Sequence, residues 1–488
     1  MASVVKSISV AAATGGTEGF EQSAGLERFA LRISDWAERW YPDAFVFAIV
    51  GVVVVALGAV AAGAAPTAVA KSFGSGFWTL IPFTMQIGMG ALLGFVVASS
   101  TPAAWLIRRL ALYPSTGKGA VAYIALVTML VSVVSWALSL IFSALLVREL
   151  ARRVELKMDY RAAGASAYLG LGATWALGIS SAAAQIQANP ASLPKTLLSI
   201  TGVIPFEQTI FLWQSMSMML VLIIISVAIA YWSAPAEQRA VTAQDIGIDL
   251  SNPVQTLPKR ERPGEWLEYS PILTVALAIM GFGWLVQEFA AKGFVLAISN
   301  LNTYNFLFFM IGLLLCWRPR RFIEAVAKAT PSIAAILIQF PLYGAIAAML
   351  VEPKGFGGVA LADHIATVFV SISTQHLFPV TMGVYSAVLG FFVPSGGGKW
   401  LIEAPYVMAA ANELKVHLGW AVQVYNAAEA LPNLINPFWM LPLLGILKLR
   451  AKDLIGFTFT QFMVHAPIVL LMLWALGLTL TYQPPIVP

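Results

Sequence analysis

The chain has 488 residues, of which 59% are hydrophobic and only 11% are charged, and its mean hydropathy is +0.79. Soluble domains carry about 25% charged residues, so this composition excludes a soluble protein and indicates a polytopic membrane protein. The single cysteine, Cys316, excludes a disulfide framework and a cysteine-rich metal site. The net charge of +5 does not indicate nucleic-acid binding, because most Lys and Arg residues cluster at the ends of apolar runs, as membrane topology signals do.

The first half of the chain is predicted to form four spans and a hairpin. Residues 1–27 are rich in Ala, Ser, Thr and Gly, and we predict a disordered cytoplasmic tail. Arg28, Arg32 and Arg39 precede the first apolar run, which places the N-terminus in the cytoplasm. The spans are predicted over residues 43–66, 77–107, 162–185 and 208–233.

The apolar segment 119–147 fits no simple span. Cationic clusters flank it on both sides, so both of its ends are placed in the cytoplasm. Because the segment is too short for two full spans of roughly 20 residues each, we predict a re-entrant hairpin with its tip near residues 135–139. The alternative is one long tilted helix, in which case the flanking cations do not indicate the side of the membrane.

The second half is predicted to follow a cytoplasmic linker. The linker is the polar, proline-containing stretch 234–267. Segment 377–411 has few cations beside it and is predicted to be an outer re-entrant hairpin, which leaves the C-terminus in the periplasm. The remaining spans are predicted over residues 270–291, 303–317, 330–351, 418–447 and 456–482.

Apart from an extra span over 270–291 in the second half, the two halves, residues 28–233 and 268–488, contain the same predicted elements in the same order but in opposite orientation. We therefore predict an all-α polytopic membrane protein with two inverted repeats, about nine full transmembrane helices and two re-entrant hairpins. Gln86 and Gln339 fall at corresponding places, although the match depends on topology more than on residue identity. Inverted repeats are typical of secondary transporters, whose substrate site lies at the midplane where interrupted helices meet.

The predicted outer tip is polar and rich in glycine. It reads Pro394, Ser395, Gly396, Gly397, Gly398 and Lys399. Irregular backbone survives at membrane depth only inside protein or beside a cavity. Freed backbone N–H groups, a hydroxyl and an ammonium group suit a carboxylate, so we predict a substrate site here. The alternative is that the glycines allow tight helix packing and that Lys399 snorkels to water.

Polar residues also interrupt two of the predicted spans. The span over 418–447 is predicted to be unwound in the middle, with freed oxygens that coordinate Na⁺ or a carboxylate that carries a proton. Its polar residues are Asn426, Glu429, Asn433 and Asn436, beside Pro432 and Pro437. The alternative is a proline-kinked helix whose polar groups satisfy each other. Asn433 is also predicted to bind the substrate, together with Thr174, Ser180 and Ser181 of the matching first-half span and with Ser135 and Ser139 of the inner tip.

Glu403 raises a separate question about the role of Lys399. The two residues are four apart and share one helical face, so Glu403 is predicted to pair with the lysine or to take part in ion coupling. A paired Lys399 would be neutralised and would not serve the substrate. His465 is predicted to be a packing residue.

The sequence contains no pattern of an enzyme. It lacks a Walker A sequence, and its four histidines are scattered without metal-ligand spacing. We therefore expect no ATP drive, no cofactor and no metal other than a coupling Na⁺.

The run Phe392–Trp400 resembles the Val-Pro-Ser-Gly-Gly-Gly-His-Trp motif of the bacterial short-chain fatty acid transporter family. Further similarity lies in residues 39–43, 76–78, 148–153 and 436–439, and the resemblance extends over about residues 27–483. It implies a carrier of short-chain carboxylates such as acetoacetate and butyrate. It also implies a distant similarity to the ion-transporter superfamily, whose members pair re-entrant hairpins and work as elevator-type dimers.

The chain departs from this family pattern near the predicted site. Lys399 stands where a histidine is usual, and Glu403 where a glutamine is common. At the inner tip Ser135 replaces an asparagine, and Ala137 and Ser139 replace glycines. These departures bear on the substrate and the coupling ion more than on the fold.

Taken together, these features predict a multi-pass carrier of small monocarboxylates in the bacterial inner membrane, coupled to H⁺ or Na⁺ and forming a homodimer. Within the carrier class the alternative is a di- or tricarboxylate substrate, with Lys399 as a second anchor. From other classes the alternatives are an anion channel and a membrane sensor. The scarcity of soluble segments argues against a sensor.

Overall fold

A computed structural model describes residues 44–190, 193–250, 259–392, 395–436 and 438–486. Within these ranges the chain forms α-helices joined by loops and short turns, and none of the described residues forms a β-strand. The predicted all-α class is therefore confirmed. The predicted N-terminal tail, Pro394 and Pro437 lie outside the described residues.

Several helices of the first half begin at a side chain that caps them. Ser100, Thr116, Asp159 and Ser181 each accept a backbone N–H at a helix start, which satisfies donors that the first turn leaves free. The helices are α1 (Ala44–Ala61), α2 (Pro66–Phe77), α3 (Ile81–Ala98), α4 (Thr101–Leu110), α5 (Gly117–Val134), α6 (Trp136–Ala151), α7 (Tyr160–Leu169), α8 (Ala182–Ala188), α9 (Lys195–Thr201) and α10 (Trp213–Ser233).

In the second half, Asn300 and His417 are such caps. The helices of this half are α11 (Glu265–Tyr269), α12 (Ile272–Ser299), α13 (Leu301–Cys316), α14 (Pro319–Ala329), α15 (Ala334–Val351), α16 (Leu361–Ile372), α17 (Phe378–Phe392), α18 (Gly396–Glu413), α19 (Leu418–Asn433), α20 (Leu441–Leu447) and α21 (Ala451–Gly477).

Several of these helices suit a membrane. Five described helices are long and apolar enough to cross one, judged by length and composition: α3, α5, α10, α12 and α21. Apolar helices of 10–17 residues lie within α1, α13, α15, α16 and α17. Each predicted span contains a helix or an interrupted pair of helices, whereas α2, α14 and α16 were not predicted as separate elements.

Two helix hairpins, α5–α6 and α17–α18, lie where the sequence predicts them. The arms of the first are longer than expected, because α5 has 18 residues and spans about 27 Å at 1.5 Å per residue. By length α5 alone nearly matches the hydrocarbon core of about 30 Å. The re-entrant character of the hairpins therefore stays a prediction.

An interrupted helix follows each hairpin. After α7 the chain makes a π turn over Gly170–Thr174 and a 3-10 turn over Trp175–Leu177 before α8 begins. Gly170 allows the π turn to approach the first hairpin, since a Cβ there would lie 2.6 Å from Ser139 Oγ and 2.8 Å from the Thr128 carbonyl oxygen. After α19 the chain turns at residues 434–436 and resumes as a 3-10 turn, Phe438–Met440.

The core of the protein lies around α18 and α19, which are almost completely buried, whereas α12 is mostly exposed. The hairpins and the interrupted helices are thus at the centre, and outer helices surround them. The division into two inverted repeats stays a prediction.

Part of the predicted linker packs against the first half. The Tyr160 backbone N–H donates to the Val241 carbonyl at 2.9 Å, and the Val241 N–H donates to Asp159 at 3.0 Å. Arg148 donates to the Asp249 carbonyl at 3.0 Å. These bonds attach residues 234–250 to the base of the first hairpin and to the start of α7.

Candidate functional site

A cavity with about 460 Å³ of atom-free space lies against the N-terminus of α18. Both hairpins and both interrupted helices contribute to it. Its apolar and aromatic lining residues are Ile87, Trp136, Leu171, Trp175, Ala182, Ile336, Phe340 and Trp439, and its polar ones are Ser395, Gly396, Gly397 and Asn433. We call it the tip cavity.

The polar end of the tip cavity is the first turn of α18. Ser395 is extended, with φ −148° and ψ 102°, and its hydroxyl accepts the Gly398 N–H at 3.2 Å. The backbone N–H groups of Gly396 and Gly397 have no acceptor among the residues that the structure describes. Free N–H groups at a helix N-terminus attract anions, so this end of the cavity suits a carboxylate.

The three glycines also allow close packing. A Cβ at Gly396 would lie 2.3 Å from Trp175 Cη2, and one at Gly398 would lie 2.1 Å from Tyr343 Cδ2. Gly397 is less crowded, since a Cβ there would lie 3.2 Å from the Phe83 ring. Gly396 and Gly397 therefore serve the cavity and the packing together, whereas Gly398 lies under Tyr343 and does not line the cavity.

Two buried polar atoms beside the cavity lack partners. Neither Trp175 Nε1 nor Asn433 Oδ1 has a hydrogen-bond partner within the described ranges, although both residues line the tip cavity. Asn433 uses its Nδ2 to donate to the Leu171 carbonyl at 3.4 Å. Buried polar groups without partners are costly, which makes these two atoms candidates for ligand contacts.

Trp175 was not predicted from the sequence, although a positional signal was available. It lies 16 residues after Asp159, the N-cap of α7 (175 − 159), and Asn433 lies 16 residues after His417, the N-cap of α19 (433 − 417). The two residues thus lie equally far from the caps of their interrupted helices, and a comparison of the two halves could have used this equal spacing.

Lys399 lies behind the tip, in a cluster with Glu403 and Glu429. Its Nζ is 2.7 Å from Glu429 Oε2 and 3.3 Å from Glu403 Oε1. It also donates to the Ser386 carbonyl at 2.6 Å and to the Ser386 hydroxyl at 2.9 Å. All three charged side chains are at most 1% exposed. The expected pair with Glu403 is present, Glu429 is the nearer carboxylate, and Lys399 does not line the tip cavity.

The inner tip borders a second, smaller cavity of about 280 Å³. Ser135 caps α6 there, and the Trp136 backbone N–H donates to the Ser180 hydroxyl at 2.8 Å. Gln86, Gln185, Tyr304 and Asn305 add polar groups to its lining. Ile87 and Trp136 line both cavities, so the two hairpin tips are neighbours.

The remaining predicted site residues line neither cavity and bond within the protein. Ser139 bonds to Thr128 at 2.9 Å, Thr174 to Ser132 at 2.8 Å, Ser181 to Asn426 at 2.9 Å, and Asn436 to the Phe391 carbonyl at 3.3 Å. Their predicted roles in binding and coupling stay predictions. Asn426, Glu429 and Asn433 lie inside helix α19, and only Asn436 lies in the interruption where an unwound middle was expected.

Two further predictions concern the histidine in the last helix and the presence of a metal site. His465 is buried and its Nε2 lies 3.0 Å from the Ser226 hydroxyl, as expected for a packing residue. Across the described ranges, no group of three or more His, Cys, Asp or Glu side chains is placed to hold a metal ion.

Comparison with known proteins identifies the family. A sequence profile described as short chain fatty acid transporter matches residues 25–476. The chain belongs to this family. It is 33% identical over 460 residues to an Escherichia coli K12 protein, and the alignment covers 93% of this chain and 99% of that one. It is 29% identical over 458 residues to a Haemophilus influenzae protein, at 92% and 100% coverage. Both relatives are named, provisionally, as short-chain fatty acid transporters.

Two solved transporter structures share the fold. The Alcanivorax borkumensis YdaH transporter, whose topology is described as unusual, superposes with a TM-score of 0.54 over 89% of this chain and 96% of its own. Neisseria gonorrhoeae MtrF, described within a class of antimetabolite efflux pumps, gives 0.51 over 92% and 97%. Each is 14% identical to this chain, so the likeness shows the fold alone. The protein is a multi-pass membrane transporter of the short-chain fatty acid transporter family, and not an enzyme.

Proposed function

We propose that the protein is a secondary active carrier of short-chain monocarboxylates of the butyrate and acetoacetate type, coupled to a cation. The carboxylate binds at the first turn of α18, and the alkyl chain occupies the apolar part of the tip cavity. The observation that carries this proposal is the division of one cavity into a polar end and an apolar remainder. At the polar end, the N–H groups of Gly396 and Gly397 have no acceptor among the described residues.

The lining of the cavity favours a substrate with one carboxylate. No Lys or Arg from the described part of the chain lines it, and Lys399 is held by Glu429 and Glu403. A second carboxylate would therefore lack a cationic partner and would be desolvated at a high cost. This argues for a monocarboxylate over the di- or tricarboxylate alternative.

Cation coupling follows from the charge of the substrate. Moving one negative charge inward against a potential of 100 mV, inside negative, costs about 2.3 kcal/mol, and one co-transported cation cancels this cost. We propose that the carrier lies in the bacterial inner membrane as a homodimer, with a cytoplasmic N-terminus and a periplasmic C-terminus. Alternating access moves the unit that bears the hairpins against the surrounding helices.

The uptake of labelled butyrate into proteoliposomes tests the site. The double change Ser395→Ala and Gly397→Val removes the hydroxyl and places a side chain in the cavity, so uptake should fall to background. Gly445→Val is a matched control, because a Cβ at Gly445 in α20 meets nothing within 4 Å. Acetoacetate should compete with butyrate and succinate should not. Uptake that survives the double change, in protein that elutes normally on size exclusion, would refute the site.

A further inference from the structure

The buried cluster of Lys399, Glu403 and Glu429 is not explained by substrate binding, because none of the three side chains lines the tip cavity. We propose that this cluster is the coupling site and that it binds one proton, shared between the two carboxylates, for each carboxylate substrate. This inference rests on the proposed carrier function and deepens it, since it identifies the ion and the residues that hold it.

The charge count of the cluster favours the uptake of a cation when substrate binds. One ammonium and two carboxylates sum to −1, and all three groups are at most 1% exposed. A carboxylate in the adjoining cavity adds a second negative charge in a poorly solvated region, and one proton bound to the cluster offsets it. Glu403 Oε2 and Glu429 Oε1 have no hydrogen-bond partner in the part of the chain that the structure covers, so each offers an oxygen that can accept the proton.

The surroundings of the cluster are uncharged, so no neighbour replaces the proton. The cluster forms no ion pair with any other described charged group. The phenols of Tyr168, Tyr343 and Tyr425 lie within electrostatic reach of Glu429. Those near Glu403 belong to Tyr385 and Tyr406, and Ser386 donates its hydroxyl to Glu403 at 3.3 Å.

The geometry favours a proton over Na⁺. The Lys399 ammonium already occupies the space between the two carboxylates, at 2.7 Å and 3.3 Å, and would repel a metal cation placed beside it. Helix α17 closes the other side, since a Cβ at Gly390 would lie 2.6 Å from Pro432 Cγ and 3.3 Å from Glu429 Oε2. A proton needs none of this space, because it adds to an existing carboxylate oxygen as an O–H bond.

Tyr425 connects the cluster to the substrate cavity. Its ring centroid lies 4.7 Å from Lys399 Nζ, and its hydroxyl donates to the Gly396 carbonyl at 2.6 Å. Gly396 lines the tip cavity, and Lys399 is three residues further along the same helix. A change of charge in the cluster therefore acts on Tyr425, which holds the hairpin tip. This contact is a physical route by which proton binding can affect substrate binding.

The number of protons taken up when butyrate binds tests the proposal, because a cluster with a purely structural role would take up none. Purified protein in a weakly buffered detergent solution with a pH indicator should take up about one proton for each butyrate bound. Glu403→Gln leaves one ammonium and one carboxylate, which are neutral without a proton, so proton uptake should be lost. The double variant Lys399→Met/Glu403→Gln leaves Glu429 alone, at −1, and proton uptake should return. Glu413→Gln, an exposed position on the same helix, is the matched control.

The outcomes separate this inference from the proposed function. If the wild-type protein shows no exchange of labelled for unlabelled butyrate in proteoliposomes, the carrier function fails. Suppose that butyrate exchange is present. If proton uptake then persists in Glu403→Gln and in Glu429→Gln, or fails to return in Lys399→Met/Glu403→Gln, the proposed proton site is wrong. Butyrate accumulation driven by a Na⁺ gradient at equal pH on both sides would also overturn it, whereas a pH gradient alone should suffice. Butyric acid also crosses lipid passively. This background is measured in liposomes that contain Ser395→Ala/Gly397→Val, the variant expected to have no uptake of its own.

Discussion

The two hairpin tips share one backbone design. Ser135 and Ser395 are both extended, with φ and ψ of −153° and 119° in one and −148° and 102° in the other. Each hydroxyl accepts the N–H three residues later, at 3.3 Å and 3.2 Å. A serine cap thus begins the second arm of each hairpin, and this shared feature belongs to the fold.

The side chains that follow the two caps differ completely. Four and eight residues after Ser395 the chain has Lys399 and Glu403, and at the same offsets after Ser135 it has Ser139 and Ser143. Among the described residues, the two inner serines bond within the first half, to Thr128 and to the Ala167 carbonyl. The charged pair thus follows the outer cap and not the inner one, which agrees with the proton site proposed above, whereas the bonds of the inner serines hold the first hairpin against α7.

The largest effect is expected at Gly398, one of three consecutive glycines in the outer tip that have no counterpart in the inner tip. Gly398 corresponds to Leu138, three residues after each cap. In Gly398→Ala the new Cβ would lie 2.1 Å from the Tyr343 ring, whose hydroxyl donates to Gln339 at 3.2 Å. Overpacking of this kind costs about 1–3 kcal/mol, so we expect a lower melting temperature and a loss of most butyrate uptake. Gly445→Ala is the control, and wild-type uptake by Gly398→Ala would contradict the tight contact.

A smaller effect is expected when the indole N–H of Trp175 is removed. This change tests whether the first interrupted helix contacts the substrate, as Asn433 of the second one is expected to do. Trp175→Phe removes the Nε1 donor, and a hydrogen bond to a charged group contributes about 1.5–3 kcal/mol. The half-saturation concentration for butyrate should therefore rise at least about tenfold, with little change in protein yield. Trp400→Phe is a matched control, because Trp400 also has a buried indole N–H without a partner among the described residues but lies outside the cavity. An equal effect of both changes would remove Trp175 from the site.

The smallest effects are expected at the two caps themselves. Ser135→Ala and Ser395→Ala each remove one capping bond, at a cost of about 1 kcal/mol of stability, so the melting temperatures should fall by similar amounts. Only Ser395→Ala should also reduce the stabilisation by added butyrate, measured by differential scanning fluorimetry. If both changes reduce that stabilisation equally, the inner tip also contacts substrate.

The fold was predictable where a local pattern is strong. The cationic flanks placed the first hairpin, and the run from Ser395 to Lys399 placed the second. Helix α16 was missed because Leu361–Ile372 has only 12 residues and contains Asp363 and His364. Helix α2 was missed because Lys71 and two glycines lower its apolar character.

The site was predictable only as far as local spacing reaches. The pair of Lys399 and Glu403 followed from their separation by four residues on one helix. The shorter contact with Glu429 depends on how α18 packs against α19, and no local pattern contains that information. The role of Trp175 likewise depends on its position beside Gly396, a contact between the two halves of the chain.

The ion pair at positions 399 and 403 also has an evolutionary consequence. One ammonium serves two carboxylates, so the loss of Glu403 alone leaves a neutral pair of Lys399 and Glu429, whereas the loss of Lys399 alone leaves two buried carboxylates without a cation. The two positions are therefore epistatic, and a substitution of Lys399 should be tolerated less well while Glu403 is present. Among close relatives, glutamate at position 403 should occur together with a cationic residue at position 399.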